Sequence, residues 1–205
     1  MDLGIYFITS RDFGSTHEEV AELALKEGVK TIQFRDKNMN SGEMLDTAQR
    51  LRNLCDDYNA SLMINDRVDI ALASGADGVH VGQDDMPPQE VRRIFKGIVG
   101  VSVNNVKEAV EGEKYADYLG AGPVFPTATK KDARDVIGIE GLKRIVEAVS
   151  IPVIGIGSIK IENAPEVLRT GVAGIAVISA IAASSDPAGD AAKLLDAVKT
   201  SKNQK

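Results

Sequence analysis

Apolar and polar positions along this chain follow two alternating periods. Short runs rich in β-branched residues recur, each followed by a longer segment whose apolar positions repeat at helical spacing, which is the pattern of successive βα units around a parallel sheet. Eight such runs stand out: IYFIT (5–9), KTIQFR (30–35), SLMIN (61–65), GVHV (78–81), IVGVS (98–102), YLGAGPV (118–124), PVIGIG (152–157) and GIAVIS (174–179). Among the intervening segments, HEEVAELALKEG follows Ser15 and Thr16, with Glu18 and Glu19 at capping-box spacing. ALASG and EVLRTG end on glycine, which readily closes a helix.

Eight strands, each followed by a helix, match a closed (β/α)8 barrel, the TIM-barrel fold; a doubly wound open sheet, with about five to seven strands, is the other arrangement the pattern allows. The 205 residues are few for such a barrel and leave little length for anything else, so residues 1–205 read as a single α/β barrel domain. The last residues, SKNQK, are expected to fray.

Composition narrows the function. A net charge of −6 with no long basic run argues against a nucleic-acid or membrane-surface partner. The single Cys55 excludes an internal disulfide framework, and no apolar run approaches the roughly 18 residues of a membrane span. MDLGIYFITS lacks the basic and apolar regions of a signal peptide, so a cytoplasmic protein is expected. A homo-oligomer is compatible with the pattern, which does not separate exposed helix faces from interface faces.

In a barrel the chemistry lies where the strands end. After the second strand, Gln33, Arg35 and Lys37 alternate with other residues and so point the same way. The third ends at Asn65-Asp66-Arg67, the fourth at Gly82-Gln83-Asp84-Asp85 and the fifth at Ser102; the sixth runs into Thr127, Thr129 and Lys130. Each has a bland reading: a cation at a strand end is commonly solvated or salt-bridged, and Asp66 could cap the next helix. Convergence of five consecutive strand ends on one mouth favours a site.

The last two strands add phosphate-binding features. GIGSI brings small residues, Gly157 and Ser158 among them, to the opening of a helix, and Ile178-Ser179 ends its strand before a short helical turn. Backbone amides at these loops are the recurrent phosphate site of the fold. Asp66 and Asp85 leave neighbouring strands and suit a Mg²⁺ held by two carboxylates, phosphate oxygens and water, with Asp84 a rival to Asp85. With only His17 and His80 and no cysteine cluster, zinc is not expected, and His80 reads as a hydrogen-bonded barrel residue. A metal and several cations exceed what a monophosphate needs and suit a diphosphate leaving with its charge.

In their order, QFRDK, NDR, DGVHVGQDD, GVS, GPVFPTATKKDAR, GIGSI and VISAI resemble the thiamine-phosphate synthase family, whose members include thiazole tautomerases on the same barrel. The resemblance spans nearly the whole chain. It implies a transferase of thiamine biosynthesis that joins 4-amino-2-methyl-5-hydroxymethylpyrimidine diphosphate to hydroxyethylthiazole phosphate, with Mg²⁺, giving thiamine phosphate and diphosphate. It assigns Gln33, Arg35, Lys37 and Asn65 to the pyrimidine diphosphate, Asp66 and Asp85 to the metal, and Ser102 and Lys130 to the diphosphate. Thr127, Thr129, the GIGSI amides of Gly157 and Ser158, and the Ile178-Ser179 turn fall to the thiazole phosphate. In the implied chemistry the C–O bond to diphosphate breaks first, and the thiazole nitrogen attacks the resulting cation. No side-chain nucleophile is needed, and no poised Ser-His or Cys-His pair is expected.

Two positions depart from the family pattern. Ser158 stands where GIGGI is common, and its amide serves phosphate only if its backbone angles are not those reserved for glycine. Asn104 stands near the place of a family histidine on which the tautomerase branch relies, and an amide cannot transfer that proton. A tautomerase, and a non-catalytic barrel carrying thiazole or thiamine phosphate, are the rival readings. Residues 128–138, charged and without period, are expected to form a mobile lid.

Overall fold

All four residues of β1 (Ile5–Ile8) are buried, yet they serve two different layers. Ile5 and Phe7 join the large apolar cluster between strands and helices, while Tyr6 and Ile8 join a smaller cluster with Met63, Tyr118, Ile154 and Ala176. Alternate side chains on a strand face opposite ways, so the small cluster is the filling of a closed cylinder.

The computed structural model describes residues 1–126 and 134–202. Its strands are β1, β2 (Thr31–Phe34), β3 (Ser61–Asn65), β4 (Gly78–Val81), β5 (Ile98–Val103), β6 (Tyr118–Ala121), β7 (Val153–Ile156) and β8 (Gly174–Val177). They close in chain order into a barrel of parallel pairs, and the seam pairs Ile5 with Ile175 and Phe7 with Val177. The expected (β/α)8 barrel is therefore the observed fold.

Helices α1 (His17–Lys26), α2 (Ser41–Asp57), α3 (Val68–Ser74), α4 (Pro88–Ile94), α5 (Val106–Gly112), α6 (Gly138–Ala148) and α7 (Ala164–Leu168) follow the first seven strands. After β8 come a four-residue helix, α8 (Ser179–Ala182), and then α9 (Pro187–Lys202). The capping box read at the start of α1 is present: the Thr16 hydroxyl accepts from the Glu19 amide, and the Glu19 carboxylate accepts from the Thr16 amide. Gly75 ends α3 in the left-handed conformation at φ +68. No helix among the described residues is long and apolar enough to cross a membrane.

Several strand boundaries differ from expectation by a residue or two, and two differences bear on the site. β6 stops at Ala121, short of Val124, because Pro123 has no N–H for the ladder. α7 begins only at Ala164, so GIGSI does not open a helix directly. The Asn163 side chain holds a turn there, accepting from the Lys160 amide at 2.8 Å and donating to the Ser158 carbonyl at 3.1 Å.

Candidate active site

A cavity of about 210 Å³ lies where the strands end. The alternation read in QFRDK extends past β2: Gln33 is buried inside the barrel, and Arg35 and Lys37 line the cavity. Asp36 takes the opposite side. It accepts from Arg11 Nε at 2.8 Å, His17 Nε2 at 3.2 Å and the amides of Asn38 and Met39 at 2.8 and 2.9 Å. Burial opposes its charge, but the Asn38 amide, His17 and Arg11 outweigh it and hold the Asp36 carboxyl below its ordinary range. Burial holds His17 below the usual imidazole value, against the pull of Asp36.

Asn65 and Asp66 line the cavity from the end of β3. Asp66 has φ +60, a left-handed conformation that aspartate tolerates better than most residues, and its amide donates to the His80 carbonyl at 2.8 Å. Its side chain is not a helix cap, since Arg67 occupies that position of α3 without a side-chain bond. Instead the Asp66 carboxyl meets that of Asp85, whose Oδ2 accepts from the Gly82 amide at 2.8 Å. Burial, then the hydrogen bond and charge of Asp85, push Asp66 up to about 7, against Lys37 and Arg35. Asp85 is thus the partner of Asp66, while Asp84 also lines the cavity.

Two facing carboxyls from neighbouring strands form a hard oxygen set of the kind that suits Mg²⁺. Among the described residues no cluster of three or more His, Cys, Asp or Glu could hold a metal. The pair is accordingly an incomplete shell, to be filled by phosphate oxygens and water, and in that sense the residues fit the ion.

Across the barrel, Gly157, Ser158, Ile178 and Ser179 line the same cavity. Gly157 has φ +109, and a β-carbon there would lie 2.7 Å from Pro123. Ser158 follows at φ +50, a left-handed angle that favours glycine but is not reserved for it, so the condition placed on its amide is met; its hydroxyl donates to the Pro126 carbonyl at 2.6 Å. Ser102 lines the floor, and its Oγ lies 2.8 Å from His80 Nε2. The pocket therefore contains a hydrogen-bonded Ser-His contact; residues on two different strands, 22 positions apart, gave no sequence signal. Gln33 is not at the cavity wall: it is 2% exposed, and its Nε2 donates to the Tyr6 hydroxyl.

Thr127, Thr129 and Lys130 lie outside the described residues, as does the expected lid over 128–138 up to residue 133. Sequence reasoning passed over Arg134, which lines the cavity, and gave Asn104 no structural role. Asn104 Nδ2 donates to the carbonyls of Gly122 at 3.1 Å and Asp135 at 2.7 Å.

A closed (β/α)8 barrel that gathers cations, paired carboxyls and tight backbone turns at its strand ends is an enzyme scaffold for phosphorylated small molecules. The comparisons narrow this class. A sequence model of the thiamine monophosphate synthase family matches residues 5–181. The thiamine-phosphate synthase of Archaeoglobus fulgidus is 59% identical over 98% of this chain and 96% of its own. That of Methanospirillum hungatei is 48% identical over 96% of this chain and 98% of its own. The solved thiamine phosphate pyrophosphorylase from Pyrococcus furiosus superposes with a TM-score of 0.92 at 46% identity, covering 98% and 97% of the two chains. The chain belongs to the thiamine monophosphate synthase family. It is an enzyme, a transferase of the thiamine-phosphate synthase type.

Proposed function

We propose that this chain joins 4-amino-2-methyl-5-hydroxymethylpyrimidine diphosphate to hydroxyethylthiazole phosphate at the strand-end cavity, in an Mg²⁺-dependent reaction that yields thiamine phosphate and diphosphate in the cytoplasm. One observation carries the reading. Arg35, Lys37 and the Asp66/Asp85 pair come from β2 to β4, and the Gly157-Ser158 and Ile178-Ser179 loops from β7 and β8 line the same cavity. Two anionic groups thus find separate receptors around one reaction space.

Asp66 and Asp85 would hold Mg²⁺, which when bound supplies positive charge to the diphosphate oxygens. Arg35 and Lys37 bind the same group and stabilise charge as the C–O bond breaks, which is positioning and electrostatic work. Family resemblance adds Lys130 to this side and Thr127 and Thr129 to the thiazole phosphate. Asn65 meets the pyrimidine diphosphate directly, whereas Gln33 acts from one layer below through Tyr6. The backbone amides of Gly157-Ser158 and Ile178-Ser179 hold the thiazole phosphate. Val103, Ile156 and Val177 in the wall keep water from the pyrimidine-methyl cation, which water would convert to the alcohol.

The tautomerase reading loses support at Asn104, whose amide is committed to two backbone carbonyls. The test is diphosphate release from the purified protein with both substrates, with and without Mg²⁺, beside Asp85→Ala. Release should require both substrates and the ion, and should fall by about 10²-fold or more in the variant. Thiazole phosphate binding without release under any condition would return the protein to the carrier reading.

A further inference from the structure

Beneath the cavity floor, five side chains from five strands form an unbroken chain of hydrogen bonds. Gln33 Nε2 lies 2.8 Å from Tyr6 Oη, Tyr6 Oη 2.7 Å from Tyr118 Oη, and Tyr118 Oη 2.9 Å from His80 Nδ1. His80 Nε2 then lies 2.8 Å from Ser102 Oγ at the cavity. Gln33, Tyr6, Tyr118 and His80 are all buried. Polar groups are costly inside a barrel that Ile8, Met63 and Ile154 fill well enough elsewhere. The space for them is kept by backbone: a β-carbon on Gly100 would overlap the Tyr118 hydroxyl and His80 Nδ1, and one on Gly120 would lie 3.0 Å from His80 Cε1.

The chain has a direction, which follows from counting hydrogens. An amide nitrogen only donates, and a phenol has one hydrogen to give. With Gln33 Nε2 donating to Tyr6, the Tyr6 and Tyr118 hydrogens both find an acceptor in the chain only if Tyr6 donates to Tyr118 and Tyr118 to Nδ1 of His80. A neutral imidazole accepting at Nδ1 carries its hydrogen on Nε2, and that hydrogen points at Ser102 Oγ. The serine hydroxyl, already accepting, gives its own hydrogen elsewhere. Gln83 Nε2 donates to the Ser102 carbonyl at 2.8 Å and steadies the backbone that aims it. This polarity is the reverse of a nucleophile-activating pair, in which histidine takes the serine proton.

We infer that Gln33, Tyr6, Tyr118 and His80 form a one-way relay that fixes His80 as its neutral Nε2–H tautomer and so leaves the hydrogen of Ser102, which the family resemblance already assigns to the diphosphate, to be donated to that group. Tyr6, Tyr118 and His80 are then positioning residues, and Ser102 is the group that touches substrate. The identity of the acceptor rests on the reaction proposed above; the direction of the relay does not. It also accounts for two buried phenols and a buried imidazole in the interior of the barrel.

The experiment is a double-mutant cycle with Tyr118→Phe and Ser102→Ala, read as kcat and KM for diphosphate release, together with ¹⁵N spectra of the histidines in the substrate-free wild type. Ser102→Ala is expected to lower kcat by ~10²-fold, the scale of losing one preorganised donor. Tyr118→Phe should lower kcat about tenfold with little change in KM, and the double variant should be no slower than Ser102→Ala alone. The His80 ¹⁵N shifts should report the Nε2–H form in wild type and a tautomer mixture in Tyr118→Phe, with His17 assigned by its loss in His17→Gln. Multiplicative rate losses, or an Nδ1–H His80 in wild type, would overturn the relay. If Tyr118→Phe does not fold, Tyr6→Phe carries the same cycle, and the wild-type spectrum still decides the direction. A correct tautomer in a protein that releases no diphosphate would overturn the proposed reaction and leave the relay standing.

Discussion

Arg134 meets Glu108 with both ends of its guanidinium, Nη1 to Oε2 and Nη2 to Oε1 at 2.6 Å each. Glu108 also accepts from the Asn104 amide at 2.9 Å, and Asn104 holds the Asp135 carbonyl. A cavity-lining arginine is in this way fastened to α5 by a bidentate pair and a neighbouring brace. Glu108→Gln keeps the shape and removes the charge, so Arg134 should lose its fixed position. We expect KM for the substrates to rise about 3- to 10-fold, the scale of weakening one charge-assisted contact.

The same pair makes a prediction in pH. Arg134, more than any other neighbour, holds the Glu108 carboxyl below its usual range. A carboxyl with a lower pKa folded than unfolded contributes stability above the unfolded value, near ~4.3, and loses it as pH falls through the folded value. Wild type should therefore melt above Glu108→Gln at pH 7, and the gap should close in acid. A gap that stays constant down to about pH 2 would show that the pair contributes through packing alone.

Asp36 does for Arg35 and Lys37 what Glu108 does for Arg134. Its four bonds to Arg11, His17 and two backbone amides fix one face of the segment while its neighbours present the other to the cavity. Asp36→Ala should raise KM for the pyrimidine diphosphate by about tenfold through looser cations. It should also cost about 1–3 kcal/mol, since the buried His17 ring loses its Nε2 acceptor. Steady-state kinetics and thermal melts check both. Unchanged KM in a variant of lowered Tm would make Asp36 a purely structural residue.

These contacts mark how far the sequence could be read. Strand order and the barrel were legible because βα alternation is local, and so was the direction of Arg35 and Lys37, because strand alternation persists past Phe34. Asp66 and Asp85 were legible as a pair, but that Asp85 rather than Asp84 faces Asp66 needed the turn in which the Gly82 amide draws in the Asp85 carboxylate. Long-range bonds were not legible. Tyr6 and Tyr118 are 112 residues apart, and nothing in YFIT or YLGAG shows that their hydroxyls meet. Asn104 registered as a missing histidine, whereas its work is to tie two carbonyls that only the fold brings near. GIGSI looked like a helix entrance because its glycines suit one, and the turn held by Asn163 takes that place.

Ser158 carries the last prediction. Its φ of +50 costs a residue with a β-carbon roughly 1–2 kcal/mol relative to glycine. Against this stands the 2.6 Å bond from its hydroxyl to the Pro126 carbonyl, worth about 0.5–1.5 kcal/mol. The two terms nearly cancel, so Ser158→Gly should leave the melting temperature within about 3 °C of wild type. Ser158→Ala keeps the backbone cost and loses the bond, and should melt below both. The kinetic outcome separates the roles further: if the 158 amide holds the thiazole phosphate, both variants retain it, and KM for that substrate should change by less than about threefold. A large rise in KM for Ser158→Gly alone would mean that the hydroxyl tether to Pro126, rather than the amide, sets the phosphate site.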